Sequence, residues 1–129
     1  MKVRSAAAAG SVAVLCGVAA VAASFGGNAS AASAAKCAHP KNTVVKVDMF
    51  EMGFNVKPAA IPCGKITFKE KNSGAIQHNF HIEGYKGGKL VPAGGTFTQV
   101  LTLKPGRLSY QCDVLGHAQA GMTGSLKIK

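Results

Sequence analysis

The chain has 129 residues, with 15 Lys and Arg against 5 Asp and Glu, no tryptophan, 4 cysteines, 16 glycines and 5 prolines. One small domain fits that length, the abundance of turn residues argues against a helical bundle, and a 47% apolar content is too high for a disordered chain. With only 5 acidic side chains, a hydrolase built on paired carboxylates is a poor match from the start.

Lys2 and Arg4 precede an uncharged run of Ala, Val and Gly from Ala6 to Ala23, and small residues follow in Asn28-Ala29-Ser30-Ala31. This order is that of a secretory signal peptide over residues 1–35, with cleavage allowed after Ala31, Ala34 or Ala35. A retained membrane anchor is the alternative, and lipoprotein processing at Cys16 is disfavoured by Leu15 just before it. With Lys2 and Arg4 gone, 15 basic residues become 13 against 5 acidic, a net charge of +8 on a single exported domain, residues 36–129. Three cysteines stay in that domain, Cys37, Cys63 and Cys112. An odd count in an exported protein points to one bridge and one thiol with other work.

Along that domain the apolar pattern has period two. Val45, Val47 and Met49 alternate with Lys46 and Asp48, and Ile66 and Phe68 alternate with lysines and Thr67, which predicts half-buried strands. The same reading covers His78-Phe80-Ile82, Thr96 to Lys104, Leu108-Tyr110-Cys112 and Leu126-Ile128. Asn72-Ser73-Gly74, Gly87-Gly88, Pro92 to Gly95 and Pro105-Gly106 supply the turns between them. The fold class expected is all-β, a sandwich or small barrel of about seven short strands whose ends are loops. Cys37 precedes the first strand and Cys63 a later one, so a Cys37–Cys63 bridge would tie the N-terminal tail to the sandwich and stabilise it by roughly 3 kcal/mol. Both thiols free is the alternative, and export favours the bridge.

The chemistry concentrates between Tyr110 and Gly124. Cys112, His117 and Met122 stand there at C-x4-H-x4-M spacing, on a loop between two strands. A thiolate, an imidazole and a thioether make a soft donor set that suits copper better than magnesium or calcium. A trigonal plane of two histidines and a cysteine needs one more imidazole, and Gln77-His78-Asn79-Phe80-His81-Ile82 offers two. Strand parity puts His78 on the inner face with Phe80 and Ile82 and turns His81 outward with Gln77 and Asn79. His78 is therefore the preferred ligand, with His81 second, and His39 beside Pro40 reads as a solvated residue. A structural zinc site would use Cys and His without Met.

Taken together, His78-Asn79, Leu103-Lys104-Pro105-Gly106, Tyr110-x-Cys112, Gly116-His117 and Gly121-Met122 resemble the small blue-copper proteins, the cupredoxins. The ligand-loop spacing is similar to that of rusticyanin and sulfocyanin, and the resemblance covers Thr43 to Lys129. It implies a Greek-key β-sandwich of about seven to eight strands with one type 1 copper near one end, held by His78, Cys112, His117 and Met122. It also implies that Asn79, after the first histidine, ties the two ligand loops together. One departure is Leu115, before Gly116, where many relatives carry proline.

The function this predicts is single-electron transfer between redox partners outside the cytoplasm, by a monomer that is not an enzyme, because four protein ligands leave no coordination position for a substrate. The neutral loop from Leu115 to Gly121 would be a docking patch, and the basic excess would steer the protein toward an anionic partner or surface. The rival is copper delivery or buffering without electron transfer, but Met49 and Met52 are too thin a cluster to favour it. Nucleic-acid binding is not expected, since Phe50, Phe54, Phe68, Phe80 and Phe97 fall mostly at core positions and are not interleaved with a basic cluster. Nor does any Ser-His-Asp arrangement or nucleophile elbow emerge.

Overall fold

The computed structural model describes residues 36–129, so the signal peptide expected over residues 1–35 lies outside the described residues. Eight strands are present: β1 (Thr43–Phe50), β2 (Gly53–Lys57), β3 (Ala60–Ile61), β4 (Gly64–Asn72), β5 (His81–Ile82), β6 (Thr96–Leu103), β7 (Gly106–Gln111) and β8 (Thr123–Ile128). They form two four-stranded sheets, ordered β2-β1-β4-β6 and β3-β8-β7-β5. Two pairings are parallel, β1 with β4 and β3 with β8, and the others are antiparallel. Among the described residues there is no helix.

Alternation selects the core. Val45, Val47 and Met49 of β1 and Ile66 and Phe68 of β4 are buried, while Lys46 between them and Lys65 and Lys69 beside them are exposed. Leu126 and Ile128 of β8 close the core from the other sheet. Four aromatic rings join the two sheets near its centre: Phe80 lies 5.4 Å from Phe68, 5.5 Å from Phe54 and 4.9 Å from Tyr110, and Phe54 meets Tyr110 edge-on at 5.3 Å. Tilted and edge-on contacts at such distances are the favoured aromatic geometries. Phe80 sits two residues after His78, so this cluster also anchors the segment that carries that histidine.

Three sequence expectations need correction. The segment from His78 to Ile82 is not one strand: only His81–Ile82 pairs with β7, and His78 makes a single bridge to Val91. Strict parity therefore breaks, and Asn79, expected to face out, is only 3% exposed. Strands β2 and β3 escaped the sequence reading because β2 is a half-exposed edge strand joined to β1 without an Asn-Gly or Asp-Gly turn, and β3 is only two residues long. Phe50, grouped with core positions, is 41% exposed, because it ends β1 and its ring lies beside Gly53.

The N-terminal tail is pinned by the Cys37–Cys63 disulfide, which closes a separation of 26 residues. Around it Lys41 N–H donates to the Cys63 carbonyl and Cys63 N–H to the Lys129 carbonyl, so both ends of the domain meet at this bridge.

One polar group in the core stands out. Glu70 of β4 is 2% exposed, accepts a hydrogen bond from Gln99 Nε2 at 2.6 Å and leaves Oε2 without a partner. Gln99 Nε2 also donates to the Phe80 carbonyl at 3.0 Å. Burial pushes the Glu70 carboxyl up to about 8, against the opposing pull of the Gln99 hydrogen bond. Between the ordinary glutamate value of 4.5 and about 8 the folded state holds a proton that the unfolded chain has lost. This contribution to stability is complete below the lower value and disappears as pH rises through the upper one. Two outcomes follow for urea unfolding. Glu70→Gln should flatten the fall in stability between pH 5 and 9 relative to the parent protein, and parallel pH curves would refute the assignment. Reducing Cys37–Cys63, or replacing both cysteines with serine, should lower stability by roughly 3 kcal/mol.

Candidate metal centre

Two segments, distant in sequence, build the site. The first runs from Asn72 to Phe80. Asn72 is fully buried at the end of β4, and its side chain accepts from Gly74 N–H and donates to the carbonyls of Ile76 and Val91, at 2.9, 2.7 and 2.8 Å. A short polar side chain that satisfies its own turn is what the Asn-Ser-Gly sequence supplies. Backbone bonds between His78 and Val91, N–H to carbonyl in both directions at 3.1 and 2.7 Å, then fix His78 at the top of the core.

The second segment is the loop between β7 and β8. Cys112 directly follows β7, and its N–H donates to the Met122 carbonyl at 3.1 Å, one step beyond the regular pairing of the two strands. His117 N–H reaches Val114 O, Ala120 N–H reaches Gly116 O, and Met122 N–H returns to His117 O at 2.9 Å. The loop is thus a chain of hydrogen-bonded turns.

These segments bring His78, Cys112 and His117 together, with one ligating atom from each lying within 4.8 Å of the others. His78 Nδ1 is 3.2 Å from His117 Nδ1, and Cys112 Sγ is 3.5 Å from His117 Nδ1. All three side chains are buried, His117 being the most exposed at 6%. Met122 is fully buried, and its backbone is bonded to both Cys112 and His117. Burial holds the His78 imidazole below its usual value, His117 adds to this, and Glu51 partly offsets it. A neutral imidazole keeps one ring nitrogen free to donate to a metal. Two imidazole nitrogens and a sulfur converging in an apolar setting fit one copper ion better than a hard oxygen-seeking cation.

The other histidines lie elsewhere. His81 is 30% exposed, with Nδ1 2.8 Å from Asp113 Oδ2 and Nε2 3.2 Å from the Tyr85 carbonyl. His39 is exposed in the N-terminal tail. Asn79 is a tie between the segments: its Oδ1 accepts from Asp113 N–H at 2.7 Å, and its Nδ2 donates to Asp113 Oδ2 at 2.9 Å and to the Gly88 carbonyl at 3.0 Å. Gly88 has φ +64, and a Cβ there would lie 2.5 Å from Asn79 Nδ2, so only glycine admits this contact. Burial acts to raise the Asp113 carboxyl, but hydrogen bonds from Asn79, His81 and Gln111 and the nearby His81 charge hold it below the usual range. The sequence marks Asn72 only as a turn residue, and it does not single out Asp113 or Glu51, which act across gaps that only folding closes.

A family model for the cupredoxin-like domain matches residues 17–123. The chain belongs to the cupredoxin family. Solved cupredoxins share the fold at low identity. The dithionite-reduced auracyanin of Roseiflexus castenholzii is 18% identical, with 70% of this chain and 99% of that one covered at a TM-score of 0.56. Auracyanin A of Chloroflexus aurantiacus, a "blue" copper protein, is 17% identical, with 69% and 100% covered at 0.56. Rusticyanin of Thiobacillus ferrooxidans is 19% identical, with 70% and 79% covered at 0.60. No curated protein sequence matches the chain. For this cupredoxin, the residues that converge are a site for one copper ion.

The tie between the segments gives a contrast in stability. Asn79→Ala leaves a part-buried Asp113 N–H and the Gly88 carbonyl without their partner and should cost roughly 1–2 kcal/mol in urea unfolding. His81→Ala removes a half-exposed ion pair and should cost less than about 1 kcal/mol.

Proposed function

We propose that this cupredoxin is an extracytoplasmic electron carrier, in which His78, Cys112 and His117, with Met122 beside them, would hold one copper ion. A copper ion held there supplies one-electron Cu(I)/Cu(II) chemistry. The observation that carries this reading is the burial of every converging donor, with His78 and Cys112 at 0% and His117 at 6% exposure. A site closed by its own protein ligands suits electron passage and not substrate binding.

His117 supports the exit route. It sits just beneath a surface made by Gly116, Ala118, Gln119, Ala120 and Leu115, the last 96% exposed. An uncharged patch of this kind suits the small interfaces of transient electron-transfer encounters. The outer face of the β2-β1-β4-β6 sheet carries Lys57, Lys46 and Lys69 side by side across three strands, with Lys71 one row on. Both ion pairs among the described residues involve histidine, so these lysines have no carboxylate partner. Such a face supports attraction to an anionic partner or surface. The disulfide supports export of a mature domain of residues 36–129, acting as a monomer without enzymatic activity. No helix among the described residues is long and apolar enough to cross a membrane.

Titrating the mature protein with Cu(II) should give an intense visible thiolate-to-copper band at one copper per chain and a reversible redox couple. Cys112→Ser should abolish the band, and His81→Ala should leave it unchanged. A weakly coloured complex, or one without a reversible couple, would overturn electron transfer and bring copper delivery or buffering forward.

A further inference from the structure

We propose that Glu51 is a positioning residue for the centre: its carboxylate is the acceptor for the buried Nε2–H of His78 and so fixes the tautomer that turns the Nδ1 lone pair toward copper. The inference rests on the reading of His78 as a copper ligand and adds a residue outside the ligand set.

In the β1–β2 turn Met52 adopts a φ of 59°, a conformation uncommon for a residue with a side chain. The turn is docked on the segment leading to His78, since Ser73 N–H donates to the Met49 carbonyl at 2.8 Å. From the turn the Glu51 side chain reaches across. Its Oε1 accepts hydrogen bonds from Ala75 N–H and, at 3.3 Å, from Ile76 N–H. Gly74 completes the seat, because a Cβ at that position would lie 2.6 Å from Oε1 and 2.9 Å from Oε2. The carboxylate is therefore held by two backbone donors and a glycine surface two to four residues before His78. A surface glutamate free in solvent has no such seat.

His78 shows the complementary need. Its ring is fully buried, Nδ1 faces the other donors at 3.2 Å, and Nε2 has no hydrogen-bond partner. A neutral imidazole carries its proton on one nitrogen and offers a lone pair on the other. If Nδ1 is the donor to metal, Nε2 must carry the proton, and a buried N–H without an acceptor is costly. Glu51 Oε1 lies 3.8 Å from that nitrogen. The gap is wider than a hydrogen bond, and a modest rotation of a side chain already anchored at its tip would close it. Ligand histidines in metal sites recurrently donate their second N–H to a carboxylate or carbonyl, which fixes the ring and raises its basicity.

Glu51→Ala and Glu51→Gln separate the roles. In long-range proton–nitrogen correlation spectra of the full chain without copper, His78 should be the Nε2–H tautomer in the parent protein. It should remain so in Glu51→Gln, whose amide oxygen still accepts, and become mixed in Glu51→Ala. Glu51→Ala should weaken Cu(II) binding by roughly 10- to 100-fold. The reduction potential should rise in both variants, because both lose a negative charge that favours Cu(II) over Cu(I). An Nδ1–H tautomer in the parent protein, or a potential unchanged in Glu51→Gln, would overturn the proposal even if Glu51→Ala fails to fold. Failure of the copper reading is distinguishable: the parent protein would then lack the thiolate-to-copper band, whatever the tautomer of His78.

Discussion

Asn79 and Asp113 exchange hydrogen bonds in both directions, backbone N–H to side-chain oxygen at 2.7 Å and side-chain amide to carboxylate at 2.9 Å. Each is the neighbour of a converging donor, Asn79 of His78 and Asp113 of Cys112. The pair therefore sets the distance between two segments that lie 34 residues apart in the chain. A copper site gains from such a constraint because its two oxidation states prefer different geometries, and ligands held in place from outside move little when an electron arrives. The bond to Gly88 extends the tie to a third segment, so the cluster rests on a network and not on one loop.

Behind this network the core supplies rigidity. Phe80 follows Asn79 by one residue and packs among Phe54, Phe68 and Tyr110, while its carbonyl accepts from Gln99. Gln99 in turn contacts Glu70, so a buried carboxyl group is linked to the backbone of the histidine segment. An ionised carboxylate in that position would be poorly solvated. Its raised pKa keeps a proton there at neutral pH, and the core stays close to electrically neutral beneath the metal end.

Charge is distributed unevenly over the outside. Glu51 and Asp113 lie next to the donor residues, and both carboxyls are held below their usual range, chiefly by backbone hydrogen bonds at Glu51 and by side-chain hydrogen bonds that outweigh burial at Asp113. Lys46, Lys57, Lys65, Lys69, Lys71 and Lys127 stand on strands instead.

Period two in β1, β4, β6 and β8 was legible in the sequence because side chains alternate across a sheet whatever it pairs with. The donor loop was legible for a related reason. Cys112, His117 and Met122 occupy one short stretch, so their spacing is a local property. Parity on Phe80 and Ile82 distinguished His78 from His81, and the folded chain places His78 at the cluster and His81 against Asp113. Parity misled for Asn79, where the chain leaves regular strand geometry. The edge strand β2, the two-residue β3, the seating of Glu51 and the burial of Glu70 were not legible. Each depends on which distant backbone groups arrive beside it, and one sequence does not carry that information. The sequence alone determined the strand pattern and the kinds of donor atom available. Tertiary structure decided which of them meet and what surrounds them, because burial and hydrogen bonding are properties of neighbours brought together by the fold.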